Sequence, residues 1–303
     1  MYDVIILGGG AAGLTAALYA RRYGLSALLI EELYLGGQII NTHEIENYPG
    51  FAAPISGGEL IDEFEKQMRI YKPDIIYSTV TGVELAGDVK VIKTVKQSYE
   101  SRCIIAATGR NPRELGLARE KKLRGSGVSY CATCDGNFFR GKEIAIVGGG
   151  DTAVTEALFL SRICRKVYII HRRDSFRAAR AETAKLKTAG NIESIMNARI
   201  TELLGEDKVE GVVLSEAGHS PRTLELSAVF VAVGAVPNSK MFEGMLTLDE
   251  HGYIITDDEM RTNITGVFAA GDVRRKSLRQ VITAAADGAV ASYSAMLAMQ
   301  AID

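Results

Sequence analysis

Cys131 and Cys134 stand three positions apart in SYCATCDGNFF, residues 129–139, with Asp135 directly after the second. Such a pair can supply half of a zinc site, close a structural disulfide, or exchange electrons as a dithiol. Zinc needs further ligands at metal spacing. Cys103 lies in the apolar stretch RCIIAATG and Cys164 in SRICRKV, while His43, His171, His219 and His251 form no close pair, so no metal site is expected. Cys103 reads as a core residue and Cys164 as an incidental thiol. Four cysteines in 303 residues make no disulfide scaffold and point to a reducing cytoplasm, where a lasting staple is disfavoured. A redox pair fits better: a short loop lets the disulfide open and close locally, and Asp135 can shuttle a proton, cap a helix, or do both.

A source of electrons is suggested by two glycine turns. DVIILGGGAAGLTAALYARR begins at Asp3 and EIAIVGGGDTAVTEALFLSR at Glu143, an ungapped offset of 140 residues. Each reads as a β-branched strand, a tight turn and an amphipathic helix. The first turn is Gly8-x-Gly10-x-x-Gly13 and the second Gly148-x-Gly150-x-x-Ala153. In this pattern the first glycine makes the turn and the second lets a pyrophosphate approach the backbone. The third, small residue lets helix pack on strand, with the helix N-terminus aimed at the phosphates. A lone match is weak; two copies in the right context are far stronger.

The end of the next strand separates the copies. Glu31 lies 23 positions after Gly8, where a carboxylate accepts hydrogen bonds from an adenosine ribose. His171 lies 23 positions after Gly148 and is followed by Arg172, Arg173 and Arg177. Three guanidinium groups in place of an acid suit a ribose 2′-phosphate, so the second turn is expected to prefer NADPH. The first, with its acid, suits FAD or NAD.

These elements must be carried by a chain of two domains, by length alone. A hydrophobic share of 47%, 24% charged residues, a net charge of −2 and a pI near 6.2 describe an ordinary globular enzyme. They give no sign of a nucleic-acid or membrane partner. MYDVIILGGG has no basic region before its apolar run, so no export signal is expected. The longest apolar run, AVFVAVGAV at Ala228–Val236, is too short to span a bilayer. GDVKVIKTV and KVEGVVLSEAGHS read as hairpin-like strands of smaller sheets.

VFAAGDVRRKSLRQVITAAADGAVA, residues 267–291, resembles the carboxyl-terminal flavin motif of the two-dinucleotide-binding flavoprotein disulfide reductases. GGQI, IENYPGF and AATGR resemble that family's FAD contacts in the same order along the chain. With CATCDG, GGGDTA, HRRDSFR, GDV and RQVITAA, essentially the whole chain resembles the bacterial low-molecular-weight thioredoxin reductases. The placement of the cysteine pair just before the second glycine turn is specific to that group.

The resemblance implies an α/β protein of two Rossmann-like domains, with an NADPH domain inserted into an FAD domain. The expected boundaries are 1–113 and 244–303 for the FAD domain and 114–243 for the NADPH domain. FAD would be held by Gly8, Gly10, Gly13, Glu31, Gly37, Gln38, Asn47, Thr108, Gly109, Asp272, Arg279, Gln280 and Val281. NADPH would be held by Gly148, Gly150, Asp151, Thr152, Ala153, His171, Arg172, Arg173 and Arg177. Cys131, Cys134 and Asp135 would be catalytic: Cys134 nearer the flavin, Asp135 the acid, and Cys131 the attacker of a disulfide in thioredoxin or a thioredoxin-like protein. A homodimer and a rotation of the inserted domain about its two crossings are also implied.

Ser126, Asn137 and Thr155 depart from the family's usual residues, the first two beside its partner-docking surface; core and docking roles for Phe138 and Phe139 weigh evenly. Rivals of the same shape are a dithiol oxidase and a ferredoxin- or deazaflavin-dependent reductase, against which the three arginines argue. A low-turnover flavin redox sensor is the rival of another class.

Overall fold

The computed structural model describes residues 1–42 and 45–300, so His43 lies outside the described residues. The chain packs as two compact units, Met1–Asn111 with Val236–Asp303 and, inserted between them, Pro112–Ala235.

The first unit opens with strand β1 (Tyr2–Leu7), helix α1 (Ala11–Arg22) and strand β2 (Ala27–Glu31). Helix α2 (Gly57–Ile70), β3 (Asp74–Tyr77), β4 (Val80–Glu84), β5 (Lys90–Thr94) and β6 (Ser98–Ala106) follow. The chain leaves through β7 (Arg110–Pro112).

The second unit contains β8 (Val128–Ser129), a helical turn α3 (Ala132–Asp135), β9 (Glu143–Val147), α4 (Asp151–Leu160), β10 (Lys166–Ile170), α5 (Arg180–Thr188) and β11 (Ile192–Ile195). Strands β12 (Ala198–Leu204), β13 (Gly211–Glu216), β14 (Arg222–Glu225) and β15 (Ala228–Val231) complete it. The chain returns through β16 (Ala235–Pro237), and the first unit ends with β17 (Val267–Ala269) and α6 (Val281–Gln300).

In the first unit a seven-stranded sheet runs β3-β2-β1-β6-β5-β4, with β17 also on β6. In the second, a five-stranded sheet runs β11-β10-β9-β15-β8 beside an antiparallel β12-β13-β14 sheet. The central strands are near-continuous Val/Ile/Leu/Ala runs because both faces of each sheet are covered. On the first sheet, α1, α2 and α6 lie on one face with β4, β5 and Phe242, Leu246 and Ile254 on the other; on the second, α4 and α5 lie on one face with β12, β13 and β14 on the other. Val4 to Ile6, Leu28, Leu29, Ile104 and Ile105 are fully buried in one unit, and Ile144 to Ile146, Ile169 and Val229 in the other.

The repeat is one of register as well as residues. Leu7 pairs with Ile30 and Val147 with Ile170. The Gly8 N–H donates to Ile30 O at 2.8 Å and the Gly148 N–H to Ile170 O at 3.1 Å. Each turn therefore leaves its strand from the same place on an equivalent ladder. The chain is α/β with two Rossmann-like units, one inserted into the other.

Two expectations differ from the structure. The second boundary lies at 235/236, ahead of the expected 243/244, because Phe242 is fully buried in the first unit's core with Leu246 and Ile254. GDVKVIKTV does form a hairpin strand, β5 on β4, but β5 also pairs antiparallel with β6, which joins it to the main sheet. The longest apolar helix is α6, the one helix among the described residues long and apolar enough to cross a membrane. It packs on α1: Gly288 sits against the Ala12 carbonyl, the Ser292 hydroxyl donates to Ala16 O at 2.8 Å, and Ala291 and Ala295 are fully buried.

Candidate functional site

Cys131 and Cys134 are joined as a disulfide, their Cα atoms 5.3 Å apart. Cys131 is the extended N-cap residue of α3 and Cys134 lies within that turn. Gly136 lets this turn lie on α4: a Cβ there would stand 2.6 Å from Leu160 Cδ2 and 3.2 Å from Ile163 Cδ1. Thr133 Oγ1 lies 3.4 Å from Cys131 Sγ. The two aromatic residues that follow part company. Phe139 packs edge-on against the fully buried Phe230 at 5.8 Å, whereas Phe138 is exposed.

Two residues just before the disulfide organise it, and neither was assigned a role from the sequence. Ser129, 4% exposed, donates its hydroxyl to Asp135 Oδ2 at 2.6 Å and accepts the Cys131 N–H at 3.1 Å. Tyr130 donates its hydroxyl to Glu120 at 2.8 Å. The buried Glu120 carboxylate also accepts the N–H groups of Leu115, Gly116 and Leu117 at 2.7, 2.8 and 3.2 Å. Burial, and then the bond to Glu120, push the Tyr130 hydroxyl well above the usual tyrosine range, so it stays a donor. Arg124 stacks on its ring at 5.0 Å.

The same unit carries the second glycine turn. A Cβ on Gly148 would stand 2.5 Å from Ala232 O, so the turn closes only with glycine. A Cβ on Gly150 would meet nothing nearer than Arg177 Nη2 at 4.0 Å. No side chain caps α4. The HRRDSFR segment folds back over this turn: the Arg177 N–H donates to Gly149 O at 2.7 Å and the Ala179 N–H to Asp151 Oδ1 at 2.9 Å. Arg172, Arg173 and Arg177 are exposed, and none is in an ion pair among the described residues. His171 is buried against Gly149 and stacks on Phe176 at 5.7 Å, with Nε2 lacking a partner. Burial first, then the three arginine charges, hold its imidazole below the usual histidine range, against a hydrogen bond with the Ser175 backbone.

In the first unit, Gly8 has φ +102° and a Cβ there would be 2.5 Å from Ala107 O; one on Gly13 would be 1.8 Å from Gly8 O. At Gly10 a Cβ would meet nothing within 4 Å, and no side chain caps α1. By contrast α2 is closed by its own capping box, with Ser56 and Glu59 bonded reciprocally. Helices α1 and α4 thus present uncapped N–H groups beside open space, a donor set that fits pyrophosphate in both units.

The remaining candidates gather around the first turn. Glu31 accepts the Gly9 N–H at 2.7 Å, and Gly37 lies against Gly10. Asn47 Nδ2 donates to Gln280 Oε1 at 3.1 Å, just ahead of Val281, the first residue of α6. Gln38 Nε2 donates to Asn111 Oδ1 at 3.3 Å. Thr108 exchanges two hydrogen bonds with Asn238, at 2.7 and 2.8 Å, beside Gly109 at φ +67°. Asp272 pairs with Arg110 at 3.3 Å. Arg279 lies 4.3 Å over the Tyr253 ring, its Nε buried without a partner. Asn238 was not singled out from sequence, although it lies in GAVPNSKMFEG, the Gly/Pro/Asn-rich stretch of the second crossing; Arg110 stands in AATGR and in GRNPRELG of the first crossing without a role of its own. Among the described residues no group of three or more His, Cys, Asp and Glu could hold a metal ion.

A thioredoxin reductase of Peptoclostridium acidaminophilum is 45% identical over 302 residues, covering 97% of this chain and 96% of that protein. One of Bacillus subtilis is 42% identical, covering 97% and 93%. The crystal structure of thioredoxin reductase from Streptococcus pyogenes superposes with a TM-score of 0.95 at 41% identity, over 99% of each chain. The pyridine nucleotide-disulphide oxidoreductase model matches residues 2–288, and the chain belongs to that family.

Proposed function

We propose that this chain is an NADPH-dependent flavoenzyme that reduces the disulfide of thioredoxin or a thioredoxin-like protein. The observation that carries the reading is the Cys131–Cys134 disulfide in the unit whose glycine turn is clasped by the HRRDSFR segment, with Arg172, Arg173 and Arg177 in no ion pair among the described residues. The thioredoxin reductases to which the chain is similar support the same activity.

On this reading the first unit holds FAD, with the N–H groups at the start of α1 on the pyrophosphate, Glu31 on the adenosine ribose, and Asp272 and the start of α6 towards the flavin. FAD bound there supplies the carrier that passes an electron pair from NADPH to the disulfide. The second unit holds NADPH. The N–H groups opening α4 take the pyrophosphate and Arg172, Arg173 and Arg177 the 2′-phosphate.

The cysteines then perform the exchange. An electron pair entering the Cys131–Cys134 bond breaks it. Asp135 delivers a proton to the Cys134 sulfur, and Cys131 as thiolate attacks the partner disulfide, forming a mixed disulfide and releasing one partner thiolate. Cys134, deprotonated again, attacks Cys131 Sγ; the Cys131–Cys134 bond re-forms and the second partner sulfur leaves. The partner gains two electrons and, with protons from solvent, two thiols. A cytoplasmic homodimer belongs to the same reading, supported by the family motifs and the scarcity of cysteine.

NADPH and NADH oxidation with a panel of disulfide substrates, in parent and Cys134→Ser protein, tests the proposal. NADPH-dependent reduction lost in the variant is the expected result. Disulfide reduction surviving in Cys134→Ser would sink the relay, and no multiple turnover with any thioredoxin would leave a redox sensor.

A further inference from the structure

We propose that Ser129 is a positioning residue of the dithiol centre, tying the Asp135 carboxyl group and the Cys131 backbone to the core sheet so that proton delivery and disulfide opening share one geometry. The proposal rests on the reading that Cys131 and Cys134 turn over as a redox pair.

A hydroxyl has one proton to give. Ser129 Oγ lies 2.6 Å from Asp135 Oδ2 and 3.3 Å from Cys131 O, so the carboxylate, the shorter and stronger acceptor, takes that proton. The oxygen lone pair then receives the Cys131 N–H at 3.1 Å. A directed chain runs from the Cys131 N–H through Ser129 to Asp135. The Asp135 N–H closes it by donating back to Cys131 O at 3.1 Å. Although Asp135 follows Cys134 in sequence, this ring also ties its carboxylate, through Ser129, to the Cys131 backbone.

Ser129 itself has little freedom. It is the last residue of β8, paired in parallel with Phe230 of β15, and Phe230 is fully buried beneath the edge of Phe139. A group that must move protons at an opening disulfide gains from an anchor on a strand rather than on a loop. Neither Ser129 nor its neighbours need a ligand to form this arrangement, so it can be tested without NADPH.

The test compares parent holoenzyme with Ser129→Thr, which keeps a hydroxyl, and Ser129→Val, its near-isostere without one, alongside Asp135→Asn and the Ser129→Val/Asp135→Asn double variant. Dithiothreitol opens Cys131–Cys134 by thiol–disulfide exchange, itself becoming oxidised, and trapping the released thiols across pH gives a rate profile. Steady-state NADPH-driven reduction of thioredoxin gives kcat and KM. Ser129→Val is expected to lose about tenfold in kcat, within the range of general acid–base effects, while KM for thioredoxin stays within about twofold. Its dithiothreitol profile should lack the ionisation that Asp135→Asn also lacks. Ser129→Thr should restore both, and the double variant should be no slower than Asp135→Asn.

A Ser129→Val protein with the parent's pH profile, or losses that multiply in the double variant, would overturn the proposal. Should Ser129→Val fail to fold, Ser129→Ala carries the same comparison. A parent whose dithiothreitol profile depends on Ser129 but which never reduces thioredoxin with NADPH would overturn the functional reading and support the positioning role.

Discussion

The Arg177 N–H donates to Gly149 O at 2.7 Å, and its guanidinium Nη2 stands 4.0 Å from where a Cβ on Gly150 would project. The backbone of the arginine segment is thus clasped to the very turn proposed to carry the pyrophosphate, and its charge hangs beside the uncapped start of α4. A charged hydrogen bond to phosphate contributes roughly 1.5–3 kcal/mol, equivalent to about 10- to 150-fold in affinity. Arg177→Ala should therefore raise KM for NADPH by about that factor while kcat/KM for NADH changes by less than about twofold. Initial rates with the two nucleotides check this; equal losses with both would detach Arg177 from the 2′-phosphate.

Chemical modification should divide the four cysteines sharply. Burial pushes the Cys103 and Cys164 thiols up to about 11. At pH 8 only about one molecule in a thousand then carries either thiolate, and the side chains are shielded as well. Iodoacetamide should leave the native oxidised protein unlabelled, add two groups after mild dithiothreitol treatment, and add four after denaturation under reduction. Intact mass reads the count, and a third label on the native reduced protein would contradict the burial of Cys103 or Cys164.

His171 gives the second unit a pH dependence of known sign. Its folded pKa is depressed, chiefly by burial and then by Arg177, Arg173 and Arg172, so the unfolded chain binds the proton more readily. The stability it contributes is complete above the unfolded histidine value, about 6.5, and is lost as pH falls from there towards the folded value. Between pH 7.5 and 5.5 the parent's denaturation midpoint should fall more steeply than that of His171→Phe, which keeps a ring against Gly149 and Phe176. Parallel curves for the two proteins would show that His171 does not titrate between the states.

Both glycine turns were legible in the sequence because each is a short-range device. Gly8 and Gly148 close their turns against carbonyls that any Cβ would strike, and the following helix start is left open. Even the 140-residue offset survives as matching ladder positions, Leu7 with Ile30 and Val147 with Ile170. What could not be read depends on pairings between distant segments. Thr108 meets Asn238, 130 residues away, only once the chain has returned to the first unit. Phe242 falls into that unit's core although the Gly/Pro pattern around it looks like linker. Ser129 stood in the stretch that carries the cysteines. Its role nevertheless depends on a strand pairing with Phe230, which no local spacing displays.

The start of α6 hides one further dependence, and it sets the last expectation. Asp287 Oδ2 accepts the Gly271 N–H at 3.0 Å, the Lys276 ammonium at 2.7 Å and Arg274 Nε at 3.2 Å. The three side chains are only 10%, 7% and 13% exposed. One carboxylate therefore pairs with two buried cations and holds the Gly271–Val273 turn that presents Asp272. Removing it strands both charges, and breaking a buried ion pair from one side costs about 3–5 kcal/mol. Asp287→Ala should lose that much in denaturant unfolding, whereas the double change Asp287→Ala/Lys276→Met should recover part of it by removing one unpaired charge. A larger loss in the double variant would mean that Lys276 stabilises the turn through its own packing rather than through the pair.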